Sequence, residues 1–106
     1  MSTSPETVEF ILHKLANSRV FSVRRMFGEY ALYADGKTVA LVCDDLLYVK
    51  IRPESAELEG LCEKGNPYSG AKLHYIVTES QLSSIENLPR ILQAIAAALP
   101  AKKLKP

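Results

Sequence analysis

Apolar residues recur along this chain in two rhythms. Near the start, Val8, Ile11, Leu12 and Leu15 stand at i, i+3, i+4 and i+7, the spacing of one helical face. Ser4-Pro5-Glu6 precedes them as a helix start, with serine as N-cap, proline at the first position and an acid in the first turn. Asn17-Ser18 ends the stripe, and His13 falls off it as a solvated helix residue. A second stripe of Ile91, Leu92, Ile95, Ala96 and Leu99 opens at Leu88-Pro89 and stops at Pro100. Between Arg24 and Ile51 the rhythm changes to short apolar, β-branched runs separated by turn pairs. Asp35-Gly36 is the strongest of these signals, because a type I′ turn needs φ > 0 at both central residues. Asp44-Asp45 is a weaker turn whose side chains can bond local backbone. The pattern predicts an antiparallel meander of three strands, roughly Glu29–Ala34, Lys37–Cys43 and Leu46–Arg52. An entering strand, Phe21–Met26, leads into it, with Gly28 as a structural bend or bulge.

Pro53 stops the sheet, and PESAELEGLCEK (53–64) reads as a short middle helix. Its acids Glu54, Glu57, Glu59 and Glu63 point outward, and Ala56, Leu58, Leu61 and Cys62 lie nearer the core. Gly60 weakens that helix by about 1 kcal/mol relative to Ala. The segment Gly65-Asn66-Pro67-Tyr68-Ser69-Gly70 is a loop, Leu73 to Thr78 a further strand, and Ser80 a cap for one helical turn. The order α-β-β-β-β-α-β-α departs from the strict alternation of a parallel α/β fold. It predicts an α+β domain of two layers: an antiparallel β-sheet built on the three-stranded meander, with N-terminal, middle and C-terminal helices. One domain spans 1–106, its core about 5–99, followed by a short basic tail with Lys102, Lys103 and Lys105.

With both meander turns taken as two-residue loops, Leu32 pairs with Val39, Tyr30 with Leu41, and Leu41 with Tyr48. One face then carries Tyr30, Leu32, Val39, Leu41, Tyr48 and Lys50, and the other Ala31, Tyr33, Ala40, Val42, Leu47, Val49 and Ile51. A sheet with one wet face alternates apolar with polar; this one is apolar on both. The first and last helices can cover one face each, or a partner subunit can cover the tyrosine-rich one. A slip in the assumed register is the third explanation. Tyr30, Leu32, Leu41, Tyr48 and Lys50 are therefore the interaction candidates, and a homodimer is the expected assembly.

Composition adds mainly exclusions. The chain has 106 residues, 47% hydrophobic and 24% charged, with a net charge of +1, an ordinary globular balance without an overall pull toward nucleic acid. The start lacks a signal-peptide pattern and no apolar run approaches a bilayer span, so the expected location is cytoplasmic, away from membranes. Cys43 and Cys62 lack metal-ligand spacing and read as small buried hydrophobes; neither metal nor cofactor is expected. Arg19, Arg24, Arg25 and Arg52 form a candidate basic surface with Lys50 and the tail. Arg24 and Arg25 are strand neighbours pointing to opposite faces, which argues against one nucleic-acid patch. His74, Tyr75 and Tyr68 near the glycine loop are the candidates for a small-ligand or catalytic site. GNPYSG lacks the Lys-Ser/Thr ending of a phosphate loop, and no residue is placed to orient His74 as a base. No catalytic residue is assigned.

Arg24, Met26, Phe27, Gly28, then Tyr33, Asp35, Gly36, then Leu41, Val42, then Leu47, Tyr48, Lys50 together resemble the core pattern of the TfoX/Sxy family N-terminal domain. Asn66-Pro67-Tyr68 and Tyr75-Ile76-Val77 fit the same layout, and the resemblance spans roughly 7 to 99. Glu29 stands where a second glycine is common, and a tryptophan of the last helix is absent. The resemblance implies a secretion-chaperone-like α+β fold that pairs through its sheet. It also implies a non-enzymatic regulatory role, related to bacterial competence regulators, with a possible protein partner. The open alternatives are a nucleic-acid-binding co-regulator of transcription and a small-ligand binder or enzyme.

Overall fold

The computed structural model describes residues 3–15, 20–26 and 29–99. Arg19, Gly28, the Asn17-Ser18 helix end and the lysines of the tail therefore lie outside the described residues. Helix α1 runs Pro5–Leu15 and buries Val8, Ile11 and Leu15, the stripe expected of it. Strands β1 (Phe21–Met26), β2 (Glu29–Ala34), β3 (Lys37–Cys43) and β4 (Leu46–Lys50) follow. A 3₁₀ helix at Pro53–Leu58 leads to β5 (Glu63–Gly65) and β6 (His74–Val77), and helices α2 (Glu79–Ser84) and α3 (Leu88–Ala98) close the order. All six strands form one sheet in the order β1-β2-β3-β4-β6-β5, and every pairing is antiparallel. The α+β prediction holds.

Both meander turns form as two-residue loops. Asp35 and Gly36 have φ of 52° and 80°, and Asp44 and Asp45 have φ of 51° and 62°, so each turn holds two consecutive residues in the left-handed region. Aspartate tolerates that region better than most residues. Asp45 is also fastened from outside its turn. The Ser4 amide and the Thr7 hydroxyl donate to its Oδ1 at 2.9 and 2.8 Å, and its own amide donates to Thr3 Oγ1 at 3.2 Å. The β3–β4 turn thereby caps the start of α1. Thr3 in turn donates from its amide and hydroxyl to Glu29 Oε1, at 3.0 and 2.6 Å.

The expected register of the first hairpin is corrected. Tyr33 pairs with Thr38 and Ala34 with Lys37, but Leu32 pairs with Ala40 and Tyr30 with Val42. Val39 is an extra residue on β3, a β-bulge, which moves every later pair by one position and hence to the opposite face. Val39 and Ala40 are both fully buried in the core, as a bulge allows and a regular strand does not. The pairing of Leu41 with Tyr48 in the second hairpin is as expected. One face of the sheet thus carries Phe21, Leu32, Ala34, Ala40, Val42, Leu47, Val49, Tyr75 and Val77. It packs on Ile11 and Leu15 of α1, Leu82 of α2, and Leu88, Ile91, Leu92, Ile95 and Ala96 of α3. Lys37, on the same face, donates from Nζ to the carbonyls of Ala96 and Leu99 at 2.9 and 3.0 Å. Those are orphan acceptors at the C-terminal end of α3, where a cation is also favoured by the helix dipole.

The middle helix is shorter than expected. It kinks at Ser55 and ends at Leu58, and Gly60, with φ of 84°, turns the chain into β5. Leu61, expected near the core, is 61% exposed for this reason. Ser55 is fully buried and pins the turn after β4: its hydroxyl donates to the Lys50 carbonyl at 2.7 Å and accepts from the Arg52 amide at 2.9 Å. Helix α2 is capped by Thr78, not Ser80, whose Oγ1 accepts from the Gln81 amide in a capping box with the Gln81 side chain.

Two measurements check this account. Gly36→Val should destabilise the fold by about 1–3 kcal/mol, since a β-branched residue is strained at positive φ even with open space around it; an unchanged thermal melt would contradict the turn. The second concerns acid. Hydrogen bonds from Ser4 and Thr7 hold the Asp45 carboxyl below its ordinary range. A depressed folded pKa stabilises above the unfolded value and is lost as pH falls through the folded one. Asp45→Asn, which keeps a residue tolerant of the turn, should therefore narrow the difference between urea midpoints at pH 7 and below pH 4. An identical acid dependence in parent and variant would sink this assignment.

Candidate functional site

The second face of the sheet takes no part in that core. It carries Arg24, Met26, Glu29, Ala31, Tyr33, Leu41, Cys43, Tyr48, Lys50, His74 and Ile76. No helix of the hydrophobic core packs here. Instead the loop 66–73 folds back across it. Pro67 is buried, and Tyr68 shares the walls of a cavity of about 390 Å³ with Met26, Glu29, Tyr30, Leu41 and Cys43. Gly65 permits the start of this fold-back. A Cβ there would stand 2.8 Å from Ile76 Cδ1, the end of that side chain, which would have to shift. It would stand at ordinary contact distance, 3.9 Å, from Tyr48 Cε2, so the backbone passes close over both. Tyr48 is consequently only 8% exposed on a face without helices. The cavity rim is wet and apolar at once: Tyr68 is 60% and Met26 40% exposed.

The five interaction candidates separate. Leu41, Tyr48 and Lys50 lie on this open face, whereas Leu32 is fully buried in the core and Tyr30 packs half-buried against it. The bulge at Val39 is the physical cause, because it puts Tyr30 and Leu32 on the helix side. Tyr30 still reaches the cavity wall from the strand edge, and Met26, Tyr68 and Cys43, absent from the candidates, join it there. No periodicity in the sequence indicates that a loop after β5 reaches β1 and β3.

The basic candidates do not form one surface either. Arg24 and Arg25 are exposed on opposite faces of β1, as expected, with the Arg24 guanidinium 6.0 Å from the Tyr33 ring centre. Arg52 lies beyond the far end of β4, its Nε 3.0 Å from Glu54 Oε1. A basic neighbour missed in the sequence is Lys72, which with Arg52 acts on Lys50. Burial, then those two charges, push the Lys50 ammonium below its usual range.

His74 has a structural partner: its Nδ1 lies 2.8 Å from the Lys72 carbonyl, and the ring is 9% exposed. Tyr75 points to the opposite face and donates to Glu59 Oε1 at 3.0 Å, where Lys64 also binds Glu59 at 2.9 Å. Tyr68, His74 and Tyr75 are thus not gathered into one site. Among the described residues no group of three or more His, Cys, Asp and Glu side chains could hold a metal. No described helix is long and apolar enough to cross a membrane. Cys43 and Cys62 are both buried free thiols. Burial, with the charges of Glu29 and Asp44, pushes the Cys43 thiol up to about 11, and burial alone raises Cys62.

The described residues form an α+β domain whose helices pack on one face of the sheet and whose loop 66–73 reaches the other. The TfoX N-terminal domain family model matches residues 14–98, and the chain belongs to that family. It is also 36% identical over 106 residues to an uncharacterized 12.7 kDa protein in the trpE 5′ region of Spirochaeta aurantia, a match covering 97% of this chain and 89% of that protein.

Thiolate, not thiol, is the nucleophile. At pH 8 both cysteines should therefore react slowly with a disulfide reagent in the native protein and rapidly once it is unfolded in urea. Fast stoichiometric reaction of a native thiol would show a reactive cysteine that this geometry does not contain.

Proposed function

We propose that this chain is a regulatory protein-interaction module without chemistry of its own, and that it acts as a homodimer through the helix-free face of its sheet. The observation that carries the reading is the apolar cavity between that face and loop 66–73, with Tyr68 and Met26 exposed at its rim. Clustered exposed apolar side chains on a soluble domain mark interaction surfaces. A twofold partner seated on the rim buries both residues isologously, the commonest oligomer arrangement. Tyrosine suits such a position, since its ring packs while its hydroxyl reaches the wet edge. Membership in the TfoX N-terminal domain family supports a role related to competence regulation, in the cytoplasm. Direct nucleic-acid binding has weaker support, because Arg24 and Arg25 diverge and Arg52 is engaged with Glu54.

Light scattering coupled to size exclusion tests the assembly. The parent should run at twice the 11.7 kDa chain mass. Leu41→Glu on the cavity wall, and Tyr68→Ser on the exposed loop, should each shift it to monomer at micromolar concentration. A monomeric parent over the same range would remove the homodimer from the proposal.

A further inference from the structure

The sheet has two edges, and they are unequal. The β5 edge is three residues long, Glu63–Gly65, and bears charges of both signs, with Lys64 already bound to Glu59. The β1 edge is six residues long, and Ser22, Arg24, Arg25 and Met26 are exposed on it. No described strand pairs with its outer side. The register identifies which backbone groups that side offers. The Asp35 amide donates to the Val20 carbonyl at 2.9 Å, so the hydrogen-bonded positions toward β2 are Val20, Ser22, Arg24 and Met26. Phe21, Val23 and Arg25 alternate with them and turn their N–H and C=O groups outward.

Proteins guard such edges with charge, but here the guard has one sign. The strand FSVRRM holds two arginines and no acid. Among the described residues Arg25 has no ion-pair partner, and the only ring or charge contact of Arg24 is with Tyr33. From these features we infer that β1 is a docking edge for an acidic extended segment of another protein, added to the sheet as a seventh strand. An acid opposite each arginine would answer the two exposed charges, and an apolar residue opposite half-buried Val23 would extend the core. A second copy of this chain fits less well, because β1 paired with β1 concentrates Arg24 and Arg25 twice over in one ribbon without a carboxylate. This edge shares only Met26 with the cavity wall, and its outward backbone groups at Phe21, Val23 and Arg25 lie outside it, so the inference does not depend on the homodimer.

The probe is an acetylated, amidated hexapeptide, Thr-Glu-Glu-Val-Thr-Val, whose antiparallel alignment sets its glutamates against Arg25 and Arg24 and its first valine against Val23. Amide NMR of the labelled full chain should show shifts and slowed hydrogen exchange centred on Phe21, Val23 and Arg25. Methylating the peptide nitrogens that face Arg25 and Val23 should abolish binding, whereas methylating those of the second glutamate and the second threonine, which point away, should not. The double variant Arg24→Glu with Arg25→Glu should bind the peptide about tenfold more weakly or worse, and should instead take up the Lys-Lys version that the parent rejects. Shifts centred elsewhere, indifference to the position of methylation, or no response at millimolar peptide would each overturn the inference. So would edge amides already protected in a dimer of the free protein, which would identify the occupant as a second copy.

Discussion

A single additional residue on β3 sets the character of both faces of this sheet. Between the Asp35-Gly36 turn and Leu32, β3 has one position more than β2, and Val39 occupies it. The bulge lets Val39 and Ala40 enter the core side by side, turns Tyr30 and Leu32 toward the helices, and leaves Leu41 facing away. It also fixes the end of β3 near the turn, from which Lys37 reaches the last carbonyls of α3. A regular hairpin would interchange the two sides of β2 relative to β3. Leu32 would then meet solvent or the loop, and Ala31 would be a poor core residue in its place.

The crowding of all three α-helices on one side follows from where the chain's caps and turns are tied. Asp45 anchors the start of α1 beside the β3–β4 turn, and Lys37 anchors the end of α3 beside the β2–β3 turn. Ser55 then holds the exit from β4. Each tie joins a turn of the meander to a segment that would otherwise carry unsatisfied backbone groups, a cost of about 1–3 kcal/mol for a buried one. With the helices committed there, the second face is met among the described residues by loop 66–73, whose Tyr68 shares the cavity with Met26 and Leu41.

That asymmetry gives the functional reading its physical basis. A face covered by a loop can exchange its cover for a partner at less expense of core packing than a face covered by helices. The β1 edge is asymmetric in another sense, since its exposed charges are of one sign. Both surfaces belong to the same sheet, one across its face and one along its border. Among the described residues the two cysteines are buried free thiols, and His74 is held against the Lys72 carbonyl.

Elements whose signals are local can be read from the residues alone. The helix start at Ser4-Pro5, the stripe of α3, five of the six described strands, the Asp-Gly turn and the family pattern are all legible within a few neighbouring residues. Local signals also placed Arg24 and Arg25 on opposite faces, because side-chain alternation needs no tertiary context. The register of β2 on β3 was not local. The motif Lys37-Thr38-Val39-Ala40 is equally compatible with a regular strand and with a bulge, and the choice depends on whether Val39 finds a cavity in a core built from α3 and β4. The short β5 was hidden for a similar reason: Glu63-Lys64-Gly65 has no strand pattern of its own and becomes a strand only by pairing with Lys64's partner Tyr75 and its neighbours. The reach of Tyr68 to Leu41 and Met26 likewise exists only once β5 and β6 lie beside β4. Tertiary structure therefore decided which tyrosines and leucines share a surface, because side-chain facing in a sheet depends on pairings between segments distant in the chain.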